Sequence, residues 1–152
     1  MHWKFEIGHR FVGQDVDVIV RGRYVANPPK GWAPYYDLAI CLHGSEVEVG
    51  QISARIGYSE LLVKYAGHVG YGVYEAYRGH HYAAKGCVLI PPIFQAHGMD
   101  VVWITANPDN WPSRRTCEIL GCTLVEIVDL PPDTDMYRYG ERQKCRYRWI
   151  IY

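Results

Sequence analysis

The sequence HVGYGVYEAYRGHHYAAKGC, residues 68–87, decides the expected fold. Valine and tyrosine alternate at its start with a histidine and two glycines, which is the period of a β-strand with one nearly bare face. Glycines on one face of a strand indicate that a ligand or another backbone comes close. Arg78 and Gly79 then stand where a helix begins, and the unpaired N–H groups and positive dipole of a helix start favour phosphate. We therefore expect a cofactor that contains a pyrophosphate.

The composition is that of a globular protein, with 152 residues of which 49% are apolar and 21% are charged, and a formal net charge of zero. This length predicts one domain over residues 1–152. The neutral balance argues against nucleic-acid binding, which usually needs a basic excess. No apolar run is long enough to span a membrane. The N-terminus lacks a secretory signal and the five scattered cysteines form no CxxC pair, so we expect free thiols, no metal site and a cytoplasmic location.

The first half of the chain predicts an antiparallel meander. Residues 15–21 and 36–42 are expected to be strands on either side of a loop at 27–34 that is rich in proline and glycine. After the second strand the apolar positions change parity, and Gly50 is the natural place for the β-bulge that such a change requires. Residues 58–66 are expected to be a connector that leads back into the strand described first.

The second half of the chain predicts helices that alternate with strands. A helix over residues 81–96 should be kinked or broken at Pro91 and Pro92, because proline cannot continue the hydrogen-bond pattern. A second helix should begin after Asn110, which is a good N-cap, and end at Gly121.

Three strands are expected in this half, at residues 101–106, 122–130 and 143–151. The last strand alternates apolar and cationic residues, which predicts one buried and one solvated face. The fold class is therefore a mixed α/β (α+β) sheet, in which an N-terminal antiparallel meander is followed by a β-α-β-α-β-β unit.

Two motifs in this half resemble the GNAT superfamily, the acyl-CoA N-acyltransferases. The family signature Gln/Arg-x-x-Gly-x-Gly/Ala lies between its fourth strand and third helix, and Arg78 and Ala83 match its ends. His81 stands where the family usually has glycine. The family also carries Asn-x-x-Ala/Ser after its fifth strand, and Asn110 and Ser113 keep that spacing. The serine variant resembles the branch that includes the ribosomal-protein alanine N-acetyltransferases.

The resemblance implies a GNAT-like fold, with the usual first helix pair reduced or absent, and acetyl-CoA as cofactor. Pantetheine would pair with a strand edge near Val73, much as a peptide adds to a sheet. A backbone N–H of Val73 or Tyr74 would hold the oxyanion. The residues implied in cofactor binding are Val73, Tyr74, Arg78, Gly79, His80, His81, Tyr82, Ala83, Asn107, Asn110 and Ser113.

The implied reaction is direct attack of a neutral amine on the thioester, which needs a base for the ammonium and an acid for the leaving thiolate. His68 has a suitable unperturbed pKa for the base. Cys117 stands where many family members place an acidic tyrosine, and Tyr71 is a further candidate in the thioester pocket. For each of the three, a structural role is the alternative, and an ordered water can replace a dedicated base.

The acceptor is expected to be a primary amine of a small molecule or of a protein. Asp133, Asp135 and Glu141 are candidates for recognising a cationic amine. Because the first helix pair normally walls the acceptor side, either a second subunit in a homodimer or the loop 24–35 is expected to close it. The alternative to an enzyme is a non-catalytic acyl-CoA-binding sensor or a degenerate GNAT interaction module, which the departures at two motif positions favour.

Overall fold

The computed structural model describes residues 1–152, and it has a mixed α/β architecture of eight strands in two antiparallel sheets with four short helices. The strands are β1 (Arg10–Phe11), β2 (Val16–Tyr24), β3 (Tyr35–Leu42), β4 (Glu48–Arg55), β5 (Val69–Val73), β6 (Val101–Ala106), β7 (Thr123–Asp129) and β8 (Gln143–Ile150). The helices are α1 (Tyr82–Cys87), α2 (Pro91–Ala96), α3 (Trp111–Ile119) and α4 (Asp135–Arg138).

The first sheet is the expected meander, with the strand order β1-β2-β3-β4-β5. The register between β3 and β4 shifts so that Val49 is the extra residue, next to the expected position Gly50. Gly50 has no room for a side chain, because a Cβ there would lie 2.4 Å from the carbonyl oxygen of Gly72 on β5. The bulge is confirmed, and the glycine beside it lets β4 and β5 approach closely.

The connections of this sheet differ in part from the expectation. Between β2 and β3 the chain forms only a 3₁₀ turn, Pro28–Lys30, so the first helix pair is absent, as the resemblance implied. The connector 58–66 instead contains a π-helical turn, Leu62–Ala66, which the sequence did not predict. This turn packs on the second sheet, because the hydroxyl of Thr105 on β6 donates to the carbonyl of Tyr65 at 2.9 Å.

The second half confirms the expected alternation of helices and strands. The helix over 81–96 is broken, since α1 ends at Cys87 and α2 begins at Pro91. The side-chain oxygen of Asn110 caps α3 by accepting from the N–H of Ser113 at 3.3 Å. The last three strands form the second sheet in the order β6-β8-β7.

The solvated face expected on β8 is wrong for two of its three cations. Lys144 and Arg146 each expose only 9% of their surface, whereas Arg148 is exposed. The ammonium of Lys144 pairs with Glu141 at 3.1 Å. The guanidinium of Arg146 pairs with Glu126 at 2.6 Å. These ion pairs compensate the cations, which is the condition for burying charged groups.

Buried side chains from both sheets and from the helices between them form one core cluster of 23 residues. Tyr36 from the first sheet, Phe94 from α2 and Ile104 from the second sheet are among its fully buried members. The core therefore fixes the two sheets against each other and brings β5 next to β6. The longest helix has nine residues, and none is long and apolar enough to cross a membrane.

Candidate active site

β5 and β6 belong to different sheets, and they contact each other only at one end. At the junction, the His68 N–H donates to the carbonyl of Trp103 at 2.7 Å. Past this contact, a cleft of about 180 Å³ lies between the strands, and its lining includes Gly70, Ala106 and Asn107. We call it the strand cleft. Such a gap lets an extended ligand reach the edge of a strand.

His68 is fully buried at the junction, and both of its ring nitrogens are engaged. The Trp103 N–H donates to Nδ1 at 2.8 Å, so Nε2 carries the proton and donates to the carbonyl of Gly57 at 2.7 Å. Burial lowers the pKa of His68 to about 4, which keeps the ring neutral at neutral pH. This geometry gives His68 a structural role, in place of the general base that we expected.

One edge of β5 faces away from β4, and part of that edge lines the strand cleft. The Tyr74 N–H donates to the carbonyl of Val49 beside β4, at 2.9 Å. Because hydrogen-bonded residues alternate in an antiparallel pair, the backbone groups of Tyr71 and Val73 point away from β4. Of the two amides expected to hold the oxyanion, only that of Val73 is therefore available. The Val73 carbonyl accepts from Nε of Arg78 at 3.1 Å.

Three candidate residues from distant parts of the sequence meet beside the strand cleft. The hydroxyl of Tyr71 donates to the Ser113 carbonyl at 3.0 Å and lies 3.0 Å from the Ser113 hydroxyl. The same hydroxyl lies 3.7 Å from the sulfur of Cys117. Tyr71 thus brings a hydroxyl from the strand to the position where we expected an acid on the helix.

The two candidate acids differ in access to the cleft. Cys117 is fully buried and does not line the strand cleft, so its thiol cannot contact a ligand there directly. Tyr71 lines the cleft, and burial raises its pKa, so its hydroxyl stays protonated at neutral pH. Of the two, only Tyr71 can reach a ligand in the cleft, where its hydroxyl could donate a hydrogen bond by turning from the Ser113 carbonyl.

Asn107 supplies a free acceptor on the other wall of the strand cleft. Its side-chain NH₂ donates to Glu141 at 2.9 Å, whereas its oxygen Oδ1 is buried without a hydrogen-bond partner. Buried polar atoms in folded proteins nearly always have a partner, so this oxygen fits a ligand donor such as an amide N–H. Asn110 and Ser113 line the same cleft. The open strand edge opposite an orphaned acceptor suits an extended chain with amide groups, as in pantetheine.

Two residues of the loop before α1 have a positive φ, and one of them is the residue that departs from the motif. Gly79 has φ +94, and His81, with φ 58 and ψ 33, is the only non-glycine residue with a positive φ. His81 therefore adopts the left-handed conformation that glycine favours. His80 and His81 are exposed, and the ring of His80 stacks on Tyr82 with 5.1 Å between centroids. Ala83 is buried.

A second cleft of about 960 Å³, which we call the large cleft, adjoins the strand cleft. Trp32 and Tyr35 line it, so part of its wall is the loop 24–35. The π-helical turn and α4 form other parts of the wall. Lys144 lines both clefts. The large cleft therefore opens next to the place where a thioester would lie in the strand cleft.

The three acidic candidates for acceptor recognition are not equivalent. Asp133 and Asp135 line the large cleft, but Asp135 pairs with Arg138 at 2.9 Å. Glu141 lines the strand cleft, where Asn107 and Lys144 occupy its Oε1. Only Asp133 is left without an ion pair. The large cleft is also lined by Arg55, the last residue of β4. The sequence did not indicate Arg55 as a site residue, because a single arginine at a strand end matches no motif.

The sequence matches one family model, described as an acetyltransferase (GNAT) domain, over residues 6–123. The comparison with curated proteins finds no match.

Several solved structures have a similar fold. RimJ from Mycobacterium smegmatis, solved with CoA-disulfide, is 20% identical, with a TM-score of 0.58 over 76% of this chain and 53% of its own. The ribosomal-protein-S5-alanine acetyltransferase from Vibrio fischeri is 17% identical, with a TM-score of 0.55 over 77% of this chain and 62% of its own. The microcin C7 self-immunity acetyltransferase MccE, solved with acetyl-CoA and AMP, is 16% identical, with a TM-score of 0.55 over 76% and 61%. The chain thus spans about half to two thirds of the length of these proteins.

Proposed function

The chain belongs to the GNAT acetyltransferase family, and we propose that it transfers an acetyl group from acetyl-CoA to a primary amine by direct attack. The observation that carries this proposal is the strand cleft, which has a free strand edge on one wall, the orphaned oxygen of Asn107 on the other and the hydroxyl of Tyr71 beside them. The acceptor, a small molecule or a protein, would enter through the large cleft.

We assign acetyl-CoA, which supplies the activated acyl group, to the strand cleft and the loop before α1. The pantetheine amides would pair with the free edge of β5 and with the oxygen of Asn107. The pyrophosphate would lie at the exposed loop 78–81 and the start of α1, where backbone N–H groups and the cation of Arg78 favour negative charge. The proposed contacts are Val73, Arg78, Gly79, His80, His81, Tyr82, Ala83, Asn107, Asn110 and Ser113.

In the proposed reaction the amine nitrogen forms a bond to the acyl carbon and the carbon–sulfur bond breaks. The N–H of Val73 would donate to the carbonyl oxygen as negative charge develops on it. The hydroxyl of Tyr71 would turn from the Ser113 carbonyl to donate a hydrogen bond to the departing sulfur, while the Ser113 hydroxyl donates to it and holds it in position. The proton lost by the ammonium would leave through water, because His68, the expected base, is engaged on both nitrogens.

The assay that tests this proposal is release of the CoA thiol from acetyl-CoA in the presence of a panel of primary amines. Amine-dependent release, with an acetylated product of matching mass, is the expected result. Absence of release with every amine, although CoA binds, would overturn the enzymatic proposal.

That second outcome would favour the alternative of a non-catalytic acyl-CoA sensor or degenerate interaction module. Two observations support this alternative: His81 replaces the motif glycine, and His68 is not free to act as a base. Binding of CoA and acetyl-CoA without turnover is the result that it predicts.

A homodimer in the cytoplasm is a further part of the proposal. The edge strand β7 exposes Leu124, Val125 and Ile127 at 40%, 43% and 47%, which is unusual for apolar residues on a sheet edge. Burying this edge against a second copy would remove that apolar surface from water. Sedimentation equilibrium tests it: a dimer mass that becomes monomeric in Val125→Lys is expected, and a monomer of the wild type would contradict it.

A further inference from the structure

Arg55 lines the large cleft without a carboxylate partner. Its Nη1 donates to the backbone carbonyls of Ala66 at 3.3 Å and Gly67 at 3.0 Å, which anchors the side chain. Its Nη2 and Nε donate to no group of the chain, and no salt bridge includes this residue. Arg55 is half-buried, and this burial lowers the pKa of its guanidinium. A guanidinium stays charged under all ordinary conditions, so the site holds an uncompensated cation.

The free side of this guanidinium faces the place where the two clefts join. A Cβ built on Gly70 would lie 3.0 Å from Nη2 of Arg55, so this nitrogen sits directly over β5. Gly70 lines the strand cleft and Arg55 lines the large cleft. A side chain at position 70 would intrude between them. The glycine therefore keeps the guanidinium within reach of a ligand that approaches the thioester from the large cleft.

The charges around Arg55 leave the large cleft with an excess of positive charge. The charged residues of its wall are Lys30, Arg55, Asp133, Asp135, Arg138 and Lys144. Arg138 is neutralised by Asp135 at 2.9 Å, within the wall itself. Lys144 is neutralised from the strand cleft by Glu141 at 3.1 Å. The charges that remain are the cations of Lys30 and Arg55 and the single carboxylate of Asp133. A cleft with low-dielectric walls concentrates the electric field of such a net positive charge.

We propose that the acceptor is a small amine that also carries an anionic group, a carboxylate or a phosphate, and that Arg55 binds this group through Nη2 and Nε. The planar fork of a guanidinium can donate two parallel hydrogen bonds to either anion, with its charge adding to both. With the anion held there, the amine of the same molecule faces the strand cleft. This inference rests on the proposed function and narrows its acceptor to amino acids or amino phosphates and their analogues.

The inference is tested by calorimetric titration of matched amines into the protein saturated with CoA, so that no turnover is needed. Glycine against glycinamide and β-alanine against β-alaninamide compare a carboxylate with a neutral amide on the same amine. Aminomethylphosphonate replaces the carboxylate by a phosphonate and separates the two kinds of anion. In the wild type, the anionic member of each pair should bind at least about tenfold more tightly, as expected for hydrogen bonds to charged groups.

Arg55→Gln is the decisive variant, because glutamine keeps a polar side chain at this position but has no charge. It should bring the affinity ratio of each pair close to one. A purely structural role would weaken both members equally and leave the ratio unchanged. Arg148→Gln, which removes an exposed arginine of β8 outside both clefts, is the matched control and should keep the wild-type ratio.

Three results would overturn the inference: equal affinities within each pair in the wild type, a ratio that survives Arg55→Gln, or no binding by any member of the panel. The proposed function is tested by a separate measurement, the release of the CoA thiol from acetyl-CoA. Discrimination that depends on Arg55, without thiol release from acetyl-CoA, would contradict the catalytic proposal and leave the anion site standing.

Discussion

Replacing Tyr71 by phenylalanine removes one hydroxyl from the proposed site and keeps the ring in the core. The hydroxyl bonds to the carbonyl and to the hydroxyl of Ser113, at 3.0 Å each. A typical hydrogen bond contributes about 0.5–1.5 kcal/mol to stability. Tyr71→Phe should therefore lower the free energy of unfolding by about 1–2 kcal/mol. In a chain of this size the melting temperature should fall by about 2–8 °C.

The effect of Tyr71→Phe on the reaction should be much larger than its effect on stability. A hydrogen-bond donor aimed at developing negative charge contributes about 10²–10³-fold to a rate, so kcat for amine acetylation should fall by at least about 100-fold. The affinity for acetyl-CoA should change little, because the proposed cofactor contacts are backbone groups of β5 and the side chain of Asn107. Thiol release under saturating acetyl-CoA measures the first quantity, and calorimetry measures the second.

Tyr147→Phe is the matched control for this variant. Tyr147 is also buried, and its hydroxyl accepts a hydrogen bond from Nε of Arg114 at 3.0 Å, but it lines neither cleft. The control should lose a similar amount of stability and keep its kcat. A Tyr71→Phe protein that retains kcat within about threefold, or a Tyr147→Phe protein that loses as much, would refute the assignment of Tyr71 as the hydrogen-bond donor to the leaving sulfur.

Three further predictions concern the backbone and the junction of the sheets. His81→Gly should raise the free energy of unfolding by up to about 1 kcal/mol. The left-handed conformation costs a non-glycine residue about 1–2 kcal/mol, and the greater freedom of glycine in the unfolded chain offsets part of that gain. A marked loss of stability in denaturant unfolding would contradict this prediction. Gly72→Ala should leave stability nearly unchanged, since no atom lies within 4 Å of a Cβ built there. Gly50→Ala should lower the free energy of unfolding by about 1–3 kcal/mol or more, because its Cβ would lie 2.4 Å from the carbonyl oxygen of Gly72. Equal losses in the two variants would contradict this packing. The pKa of His68 is about 4 in the fold and 6.5 without it, so its neutral ring stabilises the fold above pH 6.5. As the pH falls from 6.5 toward 4, this stabilisation of about 3 kcal/mol should be lost, and His68→Gln should show a flatter pH dependence than the wild type; parallel curves would rule the effect out.

The parts of the fold that the sequence predicted depend on local chemistry. The break before Pro91 follows from the missing N–H of proline, and the start of α3 follows from the capping oxygen of Asn110. The change of apolar parity near Gly50 predicted the bulge to within one residue. Each of these signals lies within a few residues of the feature that it specifies.

The parts that the sequence did not reveal depend on contacts between distant residues. Tyr71 reaches Ser113 across 42 positions, and the amide of Trp103 reaches His68 across 35. The first contact brings a candidate acid to the strand cleft, and the second occupies the candidate base. The free guanidinium of Arg55 is likewise visible only when the carboxylates around it are located. Residue type and spacing name candidates, but the occupancy of each polar atom is set by the tertiary structure.

The measurement that tests the account most directly is calorimetric titration of acetyl-CoA into the wild-type protein and into His81→Glu. His81 is exposed on the loop proposed to hold the pyrophosphate, so a glutamate there opposes the phosphates without disturbing the core. Saturable binding at one site, weakened at least about tenfold in His81→Glu, is the predicted result. Absence of saturable binding to the wild type, or equal binding to both proteins, would contradict the cofactor site on which the account rests.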